Sequence, residues 1–161
     1  IAQALAQAGI DPGDDAAALA ELSAGSVGEA VRLINLGGVK MYREIVGIVG
    51  SVPRLDRPRA LKLAEAAATR GAGDKLDLLL GLTDLFLARM ARGGALGPPP
   101  EAVPGEAELI ARLAPDAGRG RAWADCAQAI GARARHGRAV NLDPAALVLD
   151  TVFKIQQTAA G

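Results

Sequence analysis

The side chains equipped for covalent chemistry in this chain are few: one histidine, His136, and one cysteine, Cys126. His136 would be the only side chain titrating near neutrality, yet it has no evident partner for general acid–base work. It stands beside Gly137, at the expected end of a helix, where a cation is mildly favoured by the helix dipole; a structural role outweighs a catalytic one. Cys126 shares a helical stripe with Trp123, Ala127 and Ile130, which is the setting of a small core residue rather than the electropositive, exposed setting of a reactive thiol. The sequence has no G-x-x-x-x-G-K-[ST] phosphate loop, no H-E-x-x-H, no paired-cysteine metal spacing and no G-x-S-x-G elbow. We therefore expect no catalytic residue, no metal site and no cofactor. The basic cluster of Arg133, Arg135, His136 and Arg138, with Arg112, Arg119 and Arg121 upstream, has the chemistry to touch phosphate, but the chain holds too few aromatics to stack bases. A solvated face is the favoured reading.

The elements that would carry these residues are helical throughout. Residues 1–8 read as a first helix stopped by Gly9. Asp14 or Asp15 is placed to cap a second helix to about Leu22, and Ser26 to cap a third carrying Val27, Ala30, Val31 and Ile34 at helical spacing. The Gly37-Gly38 step marks an expected subdomain boundary. Five or six helices follow. One places Tyr42, Ile45, Val46 and Val49 on a stripe and closes at Pro53; the next is capped by Asp56, with Pro58 in its first turn, and ends before Gly71. The third, residues 74–92, is apolar on two sides: Leu76, Leu79, Leu80, Phe86, Leu87 and Met90 on one, Leu78, Leu82 and Leu85 on the other. Such a helix is either surrounded by its own domain or lends a face to a partner, so Leu78, Leu82 and Leu85 are the candidate subunit-interface residues. Residues 93–105, rich in Gly and Pro, read as a loop. Helices over 106–113, 119–136 and from Asn141 or Asp143 onward complete the chain. No window alternates with the period of a half-buried strand, which predicts an all-α fold.

Length and composition set limits on the function class. A chain of 161 residues buries a real core without staples. Half the residues are apolar, but the aromatics are only Tyr42, Phe86, Trp123 and Phe153, so the core is built from Leu, Val, Ile and Ala. Eighteen Lys and Arg balance eighteen Asp and Glu, which removes the net drive toward phosphate usual in a free-standing nucleic-acid binder. One cysteine and no secretory or membrane-spanning pattern make a reducing cytoplasm the expected setting. The chain opens at Ile1 inside a helical stretch, as expected for a piece of a longer protein.

The segment L-x-E-L-S-A-G-S-V-G-E-A-V-R-L over residues 19–33 resembles the end of the AAA+ lid in bacterial clamp-loader subunits, where a Gly-Ser-x-Arg-x-Ala signature opens a helix. Gly25, Ser26 and Ala30 match it. In subunits of that family that hydrolyse ATP, the arginine is the second nucleotide sensor; Gly28 stands here in its place and has no guanidinium to offer a γ-phosphate. The departure is similar to the non-hydrolysing delta-prime branch of the DNA polymerase III clamp loader. Further likenesses are Leu55-Asp56-Arg57-Pro58 and the stretch from Arg138 to Asp143 before the last helix, which looks like the start of the family's last collar helix. The resemblance implies that residues 1–37 are the end of a lid and residues 38–161 a collar, a helical oligomerisation domain. It implies partners: the gamma/tau and delta subunits through the collar, the sliding clamp and primed DNA only indirectly, and no membrane. The parent would be a non-catalytic subunit of a polymerase holoenzyme working in DNA replication.

Two other readings stand beside it. An ATP-hydrolysing loader subunit is disfavoured by Gly28. An unrelated helical regulatory domain would need Trp123, Phe86 and Phe153 to line a ligand pocket, a pattern more often plain core.

Overall fold

The computed structural model describes all residues from Ile1 to Gly161 and is all-helical. Nine helices follow one another: α1 (Ala2–Gln7), α2 (Ala16–Leu22), α3 (Val27–Leu36), α4 (Gly38–Gly50), α5 (Arg57–Ala68), α6 (Gly73–Leu96), α7 (Glu106–Leu113), α8 (Ala117–Ala139) and α9 (Pro144–Ala160), with one 3-10 turn (Gly13–Asp15) before α2. No helix is long and apolar enough to cross a membrane.

Local chemistry explains most of the boundaries. Ser26, Asp56, Asp116 and Asp143 each accept a hydrogen bond from the backbone N–H three residues on, satisfying donors that a helix start leaves free. Asp15 differs from expectation. It sits at the start of α2 without capping it, because its carboxylate takes Arg43 of α4 at 2.7 Å instead. Gly37, at φ 67° and ψ 36°, ends α3 in the left-handed conformation that glycine adopts without a Cβ penalty.

The expected loop at residues 93–105 begins late, since α6 runs through Gly93 and Gly94 to Leu96. The physical reason is tertiary. A Cβ on Gly94 would fall 2.5 Å from the Asp116 carbonyl oxygen and 2.7 Å from the Gly120 Cα, and one on Gly93 would overlap Ile110. Both glycines therefore serve close approach of α6 to α7 and α8, which outweighs their poor helix propensity. Arg138 near the end of α8 pairs with Asp77 near the start of α6, so the two long helices run antiparallel. Their contact is the most extensive in the molecule, and that of α5 with α9 comes next.

Most of the apolar core is one cluster, with Ile48, Ala60 and Val152 forming a small second one. Leu5, Leu19, Leu22 and Leu33 from the first three helices join one cluster with Tyr42, Phe86, Met90, Trp123 and Ile155. No break in packing falls at Gly37-Gly38; Gly37 turns the chain between α3 and α4, and the core runs on across it.

Candidate functional site

Two places carry the residues of interest: the start of α3 and a buried polar cluster beneath the Pro-rich segment.

At the first, Gly25 has φ 85°, and Ser26 begins α3 by accepting the Glu29 N–H at 3.2 Å. Glu29 pairs with Arg32 on the helix surface, so Arg32 is engaged locally. Ala30 is fully buried, while Gly28 lies exposed in the first turn. A Cβ on Gly28 would meet only the Ser26 Oγ, at 4.0 Å. A side chain there would leave the helix toward solvent, unhindered. Just upstream, Ser23 is buried and its hydroxyl has no hydrogen-bond partner.

The second place was not legible in the sequence. Glu106, at the start of α7, is completely buried, yet its carboxylate is fully engaged. Its Oε1 accepts from Arg89 Nε at 2.5 Å and from the Tyr42 hydroxyl at 3.1 Å, and its Oε2 accepts from the Ala102 backbone N–H at 3.0 Å. Arg89 on α6 donates a further Nη2–H to the Pro100 carbonyl at 2.5 Å and reaches Glu21 of α2 at 3.5 Å. Burial alone would lower the Arg89 pKa, but the hydrogen bond and charge of Glu106 outweigh it and hold the guanidinium above its ordinary range. Burial, and then the Glu106 charge, push the Tyr42 phenol far above its usual value, so it remains an O–H donor. The cluster fastens the segment after α6 onto α2, α4, α6 and α7 at once. Both carboxylate oxygens of Glu106 are engaged by the protein itself, so the arrangement works as a structural clamp. The partners of Glu106 and Arg89 lie as far as 64 and 68 residues away in sequence, which no local pattern signals.

The predicted interface residues are placed differently from expectation. Leu78 and Leu82 are 2 % and 3 % exposed within the chain's own core, and Leu85 is half-buried against the same cluster. Having α6 wrapped by its own neighbours accounts for its two apolar sides and leaves Leu78 and Leu82 no surface to lend. The pocket reading is corrected too: Phe86 and Trp123 are fully buried, with the Trp123 indole donating to the Leu113 carbonyl, whereas Phe153 is exposed. None of the three lines the apolar cavity between α4, α5, α6 and α9, which is about 20 Å³, room for little more than a water.

Four of the six arginines of the basic cluster are engaged in structural contacts, while Arg121 and Arg135 are exposed and form no ion pair. Arg112 donates to the carbonyls of Gly50 and Val52 at the end of α4, and Arg119 donates to Thr158 near the end of α9 while lying 5.8 Å from the Trp123 ring. Both supply cations to helix C-termini. Arg133 pairs with Asp150 and Arg138 with Asp77. His136 is exposed in the last turn of α8. Cys126 is buried, and burial raises its thiol pKa. No group of three His, Cys, Asp or Glu side chains converges as a metal site would require. No protein-family model matches this chain, and neither a curated protein nor a solved structure matches it.

Proposed function

We propose that this chain is an assembly module, the lid end and collar of a delta-prime-type clamp-loader subunit, which holds a place in the ring that loads the sliding clamp during DNA replication. The observation that carries the reading is the start of α3. The Gly-Ser signature there does the local work the resemblance asks of it, with Gly25 left-handed and Ser26 capping the helix. The position that bears the nucleotide sensor in hydrolysing subunits is exposed, sterically free and occupied by Gly28.

A subunit with this lid contributes geometry rather than ATP hydrolysis. Its grip on the gamma/tau and delta subunits uses surface other than Leu78 and Leu82. Exposed apolar side chains remain on α5 (Leu61) and α9 (Phe153), two helices packed against each other. The reading is tested by mixing the chain with gamma/tau and delta subunits on a sizing column. Co-elution as one species supports it; separate elution defeats it.

A further inference from the structure

The balanced charge of the whole chain conceals a segregation. Residues 38–75 contain eight Lys and Arg against four Asp and Glu, whereas residues 1–37 contain one against five. Within the basic stretch, Arg43 is neutralised by Asp15 and Arg59 by Glu44. Lys40, Lys62, Arg70 and Lys75 are exposed and form no ion pair.

The fold gathers these four along one band. Lys40 of α4 and Lys62 of α5 both lie close enough to Glu44 for their charges to act on its carboxyl, after Arg59. One turn beyond Lys62, Ala66 forms part of an open cleft of about 390 Å³, whose other walls include Leu36, Thr69, Arg70, Asp74 and Lys75. The carboxylates on this band are Glu44, already held by Arg59, and Asp74; Glu65 is exposed on α5 nearby. With Glu65 counted, the band carries five cations (Lys40, Arg59, Lys62, Arg70 and Lys75) against three carboxylates.

We infer that this band, running from Lys40 and Lys62 into the cleft at Arg70 and Lys75, is a docking surface for the phosphate backbone of duplex DNA. Charge complementarity names the occupant. Unpaired cations spread along a band, and not gathered round one point, match a repeating line of phosphates, with release of condensed counterions as the driving force. No aromatic residue lines the cleft, so there is no platform for unstacked bases. The contact reads the backbone and not the sequence. This goes beyond the ring-assembly reading, in which DNA is met only indirectly, and it stands or falls separately.

The test is fluorescence anisotropy of the whole chain with a labelled duplex oligonucleotide, titrated across salt concentrations. With four phosphates neutralised, affinity falls roughly 100-fold between about 50 and 200 mM salt. Lys62→Gln with Arg70→Gln lowers the magnitude of the salt slope by about 2, and Lys40→Gln with Lys75→Gln does the same. Arg135→Gln, on the exposed face of α8, leaves the slope unchanged. Circular dichroism confirms that each variant keeps its helices, and either pair suffices should the other misfold. Absence of binding at the lowest salt overturns the inference, as does a slope indifferent to both pairs. So does polyglutamate displacing the labelled duplex as effectively as unlabelled duplex does.

Discussion

Arg89 and Glu106 form an ion pair at 2.5 Å across α6 and α7, with Glu106 wholly out of solvent. A charge in that position is tolerated because Arg89 pairs with it and both carboxylate oxygens are hydrogen-bonded. Removing one partner leaves the other charge buried without compensation, which costs about 3–5 kcal/mol. Glu106→Ala is therefore expected to be among the most destabilising single substitutions, measured by urea denaturation. Arg89→Met combined with Glu106→Leu should recover much of the loss. A Glu106→Ala variant as stable as the parent would show that the pair does not hold the segment after α6.

The Tyr42 phenol, in the same cluster, predicts how stability depends on alkali. Its folded pKa is raised by burial and by Glu106, so the contribution is fully present below the unfolded tyrosine value of about 10 and is lost as pH rises above it. Denaturation midpoints should fall progressively as pH rises above about 10, and Tyr42→Phe should flatten that fall. A midpoint steady through the same window, in protein with Tyr42 intact, would contradict the assignment.

Leu82→Ala separates core from interface. Leu82 is buried among its own neighbours, so truncation should cost the isolated chain about 2–5 kcal/mol. A partner-facing leucine would leave thermal stability nearly unchanged and act only on assembly.

Glycine substitutions should have opposite signs at two helical positions. Gly28→Ala meets open space and removes unfolded-state freedom, so it should stabilise by up to about 1 kcal/mol. Gly94→Ala drives a methyl into the backbone of α8, so it should destabilise by about 1–3 kcal/mol or more. Thermal melts of the two variants against the parent check both signs.

Cys126 should react with a disulfide reagent only when the chain opens. It is buried, with a thiol pKa raised by that burial. Fast labelling in native buffer would show that α8 and α9 separate readily.

Much of this architecture can be read along the chain because its signals are local. Ser26, Asp56 and Asp143 cap helices where side chain and backbone lie three residues apart. The stripe of Trp123, Cys126 and Ile130 is buried as its spacing requires. What escaped was set by distant partners. Gly93-Gly94 looks like a helix end until Ile110 of α7 and Gly120 of α8 supply the reasons for Gly93 and Gly94. Asp15 has the type and position of a cap until Arg43 claims it. Leu78 and Leu82 look spare until the other helices close over them. For the start of α3, the sequence shows which residues are present, and the structure adds that position 28 faces open space.

The proposed role is tested most directly by native mass spectrometry of the chain reconstituted with gamma/tau and delta subunits. The account predicts an assembly with one copy of this chain per ring, formed whether or not nucleotide is added. Spectra holding only the separate components, or an assembly that forms solely when ATP is supplied and bound by this chain, would contradict it.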